Sequence, residues 1–234
     1  MAGSTHSSEH RRLPRRGGAL WLAIFALLLP AAEAPPSREE IISGMKEFQQ
    51  ELGFPQTRNF ENHSGEVEAF HRCYFTGKLT LPTSYEELDL RQGACTVDPE
   101  KYDVFFYRIE AVASGKAPVT ASLAGASVER LMVVVPHEDF HAHKQVRKAP
   151  AAAAEAVTTL AGFLTAAEFA RRRFGEDSQI HRNLVQEADL FLQKAEIVNR
   201  YYEVLSRLYE RVRRKKDVSR EAALEEKRRL FLEL

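Results

Sequence analysis

The residues best suited to chemistry lie in LMVVVPHEDFHAHKQ, residues 131–145, which contains the pattern His-Glu-x-x-His at His137, Glu138 and His141. On a helix, residues four apart stand one above the other on one face. Both imidazoles then point the same way, and two neutral imidazoles so placed can take adjacent corners of a tetrahedral Zn²⁺ (Zn2+) site. Glu138 lies beside them and can reach water at the metal as a general base without being a ligand. Catalytic zinc takes three protein ligands and keeps one position open, so a third ligand has to come from elsewhere in the chain.

Glu155 is the best candidate. It follows His141 by fourteen residues and stands in AAAAEAVTTLAGF, where small neighbours allow close approach of a second helix. A lone carboxylate among apolar residues would be expensive to bury without a partner. Glu168 lies about 220° further round the same helix, and a solvated pair with Arg172 accounts for it. His143, two residues past His141, points off that face. His181 is a weaker third-ligand candidate and reads as a surface residue, as do His63 and His71. Tyr201, Tyr202 and Tyr209 include candidates for an oxyanion stabiliser, although aromatics at helical spacing belong first to the core.

Several elements must position this set. SREEIISGMKEFQQELGF predicts a helix, with Ser37 as N-cap and Gly53 at its end. TRNFENHSGE reads as a loop. Residues 69–135 look strand-like, with HRCYFTGKL, YDVFFYRIEAV and ERLMVVV separated by GACTVDPEK and SGKAP. Pro136 then predicts a helix start, which places the histidine motif in a first turn, against the positive end of the helix dipole. PAAAAEAVTTLAGFLTAAEFARRRFG predicts one long helix ending at Gly175. A second apolar stripe runs from Leu184 to Val212, and a last helix begins near Ser219, with Glu221 in its first turn. The order is α+β: a small sheet region over 69–135 and a mainly helical half over 136–234, in a single domain from residue 37 to 234.

Composition narrows the function classes. The chain has 234 residues, is 44% hydrophobic and 28% charged, and carries 33 basic against 33 acidic residues. Balanced charge gives no electrostatic case for nucleic acid as a partner, and the basic run RVRRKKD at the end of a helical pattern is a solvated, dipole-complementing terminus. HRRLPRRGG supplies four arginines, followed by eleven apolar residues in ALWLAIFALLL and then PAAEA. Residues 1–36 are therefore expected to be a signal peptide, or an N-terminal anchor where uncleaved. Export to the periplasm or medium follows, with membrane association through an uncleaved leader. The two cysteines, Cys73 and Cys95, are expected to form a disulfide in that oxidising setting.

HEDFH with a downstream glutamate in an E-A-x-x-T context resembles the gluzincin branch of the zincin metallopeptidases. HEDFHAHKQ…AEAVTTLAGF followed by YYEVLSRLYERV…EEKRRLFLEL is similar, more narrowly, to the predicted bacterial aminopeptidase family, over about residues 130–234. The resemblance implies His137, His141 and Glu155 as zinc ligands, Glu138 as general base, and a peptide as substrate of an aminopeptidase-like hydrolase. The chain departs from that pattern in Ala154, where asparagine usually precedes the third ligand, and in Asp139-Phe140, where small or aliphatic residues are commoner. A reading from a different class is an exported helical binding or assembly protein, in which the motif is structural and the long amphipathic helix meets a partner.

Overall fold

The computed structural model describes residues 36–234, apart from 85–86, 93–94, 113 and 215–217. All but the last residue of the expected leader lies outside these. Six α-helices and five strands follow in order: α1 (Arg38–Glu51), β1 (His63–Ser64), β2 (Phe70–Gly77), β3 (Asp89–Gln92), β4 (Tyr102–Ile109), β5 (Val119–Thr120), α2 (Ala121–Gly125), α3 (Val128–Phe140), α4 (Ala151–Phe174), α5 (Gln179–Arg213) and α6 (Arg220–Glu233). The α+β architecture is as expected, with the helices dominating after residue 128.

Helix α1 starts where Ser37 and Glu40 satisfy each other's backbone: Ser37 Oγ accepts from Glu40 N at 3.2 Å, and Glu40 Oε2 accepts from Ser37 N at 2.6 Å. It buries Ile41, Ile42, Met45 and Phe48. The sheet is antiparallel with strand order β3-β2-β4. Its long pair runs from Phe70 opposite Ile109 to Gly77 opposite Tyr102. Strand β3, built from the polar DLRQ, has no period-2 apolar signal and was not legible in the sequence. Cys73, fully buried on β2, is bonded to Cys95 just beyond β3. Closing a loop of that length is worth about 3 kcal/mol in the chain-entropy account. The disulfide is consistent with an oxidising, exported location.

The largest correction concerns residues 128–135. ERLMVVV is not a strand but the body of α3, and Pro136 lies inside that helix instead of starting it. Leu131 to Val135 are all buried. A short apolar run enclosed on every side shows neither helical nor strand periodicity, so the sequence pattern cannot choose between them. Tertiary enclosure by α1, α4 and the start of α5 chose the helix. The capping signal that was available is Ser127, whose Oγ accepts from Arg130 N at 3.1 Å, with Glu129 in the first turn.

Two apolar clusters hold the chain together. The first joins α1, α3, α4 and Leu184 of α5 to Phe60, Val119 and Leu123. The second packs Leu205, Leu208 and Tyr209 of α5 against Ala223 and Leu230 of α6 and against Leu79. Helix α5 has 35 residues, a span of about 50 Å, and so serves both. Buried Lys227 on α6 pairs with Asp103 of β4, which Lys78 also approaches at 3.3 Å. In the basic run, Arg213 and Arg214 pair with Glu210 on the surface. Among the described residues no helix is long and apolar enough to cross a membrane.

Candidate metal centre

Helices α3 and α4 pack closely because α4 presents small side chains to α3. Ala154, Thr158, Gly162 and Ala166 are buried at steps of four along it, which is one helical face. The contact is tightest at Gly162. A Cβ there would meet the Val133 carbonyl oxygen at 2.8 Å and the His137 Cβ at 3.2 Å. The backbone oxygen cannot swing aside, so Gly162→Ala is expected to push the helices apart. The expected cost is about 1–3 kcal/mol of stability, read by denaturant unfolding, and the change would also separate His137 from Glu155, which sit on opposite sides of that contact.

Close packing brings three donors to one point. His137 Nε2 and His141 Nε2 are 3.3 Å apart. Glu155 Oε2 lies 3.6 Å from the first and Glu155 Oε1 3.5 Å from the second. Nitrogen and oxygen donors about 2.0–2.1 Å from a tetrahedral ion stand about 3.3–3.4 Å from one another, so the three edges fit a zinc ion. A suitable histidine tautomer has a partner at hand. Thr159 Oγ1 is 3.4 Å from His137 Nδ1; a proton held on Nδ1 by that hydroxyl would leave the Nε2 lone pair free for an ion. Thr158 Oγ1 lies 3.4 Å from His141 Nε2. The TT of AEAVTT thus contacts both imidazoles, a role not read from the sequence.

The position of the motif along its helix reverses the electrostatic expectation. His137 is in the last turn of α3 and His141 is its C-cap, so the carbonyl end of the dipole faces the site and favours a cation there.

The two glutamates are shifted in opposite directions. Burial pushes the Glu138 carboxyl up to about 7, against a smaller lowering by the charge of His137. Its Oε1 is 3.9 Å from His137 Nε2, and its carboxylate lies within 4.8 Å of the imidazole donors. Glu155 is more exposed, and its polar contact with His137, 3.6 Å away, holds it below the ordinary carboxylate range. Burial also lowers His141, the direction that favours the neutral form a metal ligand needs. Glu155 is the nearer and more readily ionised carboxylate, which suits a ligand. Glu138 is poised near neutrality, which suits a group that exchanges protons.

Asp139, outside the ligand set, anchors the motif from behind. It is 1% exposed, accepts from Asn59 Nδ2 at 3.0 Å and from the Thr57 hydroxyl, and pairs with Lys46 Nζ at 2.7 Å. Asn59 Nδ2 also reaches the Glu138 carbonyl at 3.4 Å, and its Oδ1 accepts from Ala117 N at 2.8 Å. Phe140 packs on Phe54 with ring centroids 4.8 Å apart. The unusual Asp139-Phe140 interior of the motif is therefore what ties α3 to α1 and to the loop after it.

The other sequence candidates lie elsewhere. His143 stacks on Phe140 at 5.3 Å, His181 meets the Glu176 carbonyl at the start of α5, His63 pairs with Glu39, and His71 stacks on Phe106. Glu168 forms ion pairs with Arg171 and Arg172. Tyr209 is buried in the second cluster and Tyr201 packs against it, while Tyr202 is exposed on α5; none of the three lines the cleft at the histidines. That cleft, of about 460 Å³, is lined by Arg72 and Tyr74 of β2, by Ile109, Ala111 and Val112, and by His137, Glu138, His141 and Glu155. Two further cavities adjoin it through the same histidine and glutamate side chains. Comparison with known protein families, with curated proteins and with solved structures finds no match to this chain.

Proposed function

We propose that the chain is an exported, zincin-like, zinc-dependent peptidase, with His137, His141 and Glu155 as ligands and Glu138 as general base. The observation that carries this reading is the donor triangle of 3.3, 3.5 and 3.6 Å on one side of an open cleft. Zinc held there would polarise a scissile carbonyl and acidify water. The chain's own residues do the rest. Glu138, beside the donors and ionising near neutrality, takes the proton from the attacking water and returns it to the departing amine as the C–N bond breaks. Thr159 keeps the His137 ring in orientation, and the exposed edge strand β4 ends where Ile109, Ala111 and Val112 wall the cleft.

Elemental analysis tests the reading directly. About one zinc per chain is expected in the wild type and much less in Glu155→Ala, because loss of one of three ligands leaves an incomplete site. No zinc in either protein after reconstitution would refute it.

The binding-protein alternative draws on a specific observation. Val157, Leu160 and Leu164 form an exposed apolar stripe on α4, and Leu192, Ile197 and Val198 are exposed on α5. In that reading the metal, if bound, stiffens the α3–α4 pair under a partner surface, and the fate of Glu138 is immaterial.

A further inference from the structure

The cleft has a polarity that the donor set alone does not dictate. Resting on the peptidase reading above, we propose that Arg72 receives the carboxylate terminus of a peptide, so that the bond cut lies near the substrate's C-terminal end.

Strand geometry places Arg72. Side chains two apart on a strand share a face, so Arg72 and Tyr74 face one way while Cys73 turns to the other and is locked by its disulfide. A slip of one residue would exchange these faces. The eight-residue register of β2 against β4 and the disulfide both oppose that slip. Arg72 and Tyr74 consequently line the same cavity as His137, Glu138, His141 and Glu155.

The charges around the cleft then distinguish the two ends of a peptide. Arg108 is paired with Glu68, and Arg130 with Glu110 at 2.7 Å. Among the described residues no carboxylate pairs with Arg72, although it is half-buried. A guanidinium so placed has the planar fork that matches a carboxylate with two hydrogen bonds. Arg147, which lines the adjoining cavity and is exposed, also lacks an acidic partner among the described residues. A substrate ammonium would need the reverse. Glu138 and Glu155 are engaged with the imidazoles, and Glu110 in the neighbouring cavity is held by Arg130. The aminopeptidase direction implied by the sequence resemblance therefore has no free carboxylate to anchor it among the described residues, whereas a C-terminal carboxylate has a waiting partner.

Binding to the metal-free full chain tests this without turnover. The probes are a dansylated alanyl-alanyl-phenylalanine with a free carboxylate, the same peptide as its C-terminal amide, and an undansylated amide with a free amino group used as competitor. The free acid is expected to bind at least about tenfold more tightly than its amide, the range of a charge-assisted contact. Arg72→Ala should erase that difference, and Arg72→Lys should recover part of it. Equal affinity for acid and amide in the wild type, equal weakening of both by Arg72→Ala, no binding of either, or tighter binding of the free-amine peptide would each overturn the proposal. The wild-type comparison needs no variant to fold. Zinc content measured on the same protein keeps the two readings apart. A chain that discriminates the acid but holds no zinc would refute the peptidase and leave the carboxylate site; a chain that holds zinc and does not discriminate would do the reverse.

Discussion

Glu138→Gln is expected to lower peptide hydrolysis by about a thousandfold, within the range of a lost general base, while zinc stays at about one per chain. Glutamine has the shape of the buried carboxyl it replaces and so leaves the α3–α4 packing intact, but it cannot accept a proton from water. Zinc retention separates this outcome from its rival: if Glu138 were a ligand in place of Glu155, the substitution would strip the metal as well. The wild-type pH profile belongs to the same prediction. Only ionised Glu138 is a base, and burial holds its carboxyl at about 7. Activity should therefore fall as pH drops, along a limb at or below about 7, since a bound cation favours the ionised form. Burial lowers His141, the direction that favours its neutral form. Turnover unchanged in Glu138→Gln would mean that the glutamate is not the base and would favour the binding-protein reading.

Asp139→Ala is expected to destabilise the fold by about 3–5 kcal/mol, the usual result of removing one partner of a buried ion pair. For a chain of this size that is a fall of about 6–20 °C in Tm. Three groups lose their acceptor at once: Lys46, Thr57 and Asn59. Lys46 retains a bond to Thr57 Oγ1 at 3.0 Å, but its charge is left with no counter-ion there. Adding Lys46→Met should restore part of the loss, because two neighbours in one network are not additive. The damage should also reach the metal, since the Asp139 network holds the end of α3 that carries both histidines. Thermal unfolding of the single and double variants, with zinc content alongside, measures both effects. A loss below about 1 kcal/mol would show that the network contributes little to holding the motif.

The contrast between these two neighbours marks how far the residues alone could be read. Glu138 and its histidines were legible because their chemistry depends on local spacing: four residues on a helix place two imidazoles together whatever surrounds them. Glu155 was singled out as one carboxylate among alanines; the structure brings it to both imidazoles but leaves it half-exposed, so the expected cost of burying it was not what marked it. The Ser37 cap, the Gly175 terminus and the Cys73–Cys95 bond were likewise signalled by residues at or near the place they act.

What the tertiary structure alone decided depends on groups distant in the chain. The apolar run before Pro136 had no period to read, and enclosure by three other helices made it helical, which moved the motif from a first turn to a last one and turned the dipole in the cation's favour. Asp139 looked like an oddity within the motif until Lys46, Thr57 and Asn59, some eighty to ninety residues earlier, supplied its partners. Arg72 could not be singled out among so many basic residues, because its meaning lies in having no ion pair with a described carboxylate and in the cavity it shares with the histidines. Local spacing determines which chemistry is available to this chain; the packing of remote segments determines where that chemistry faces and what it meets.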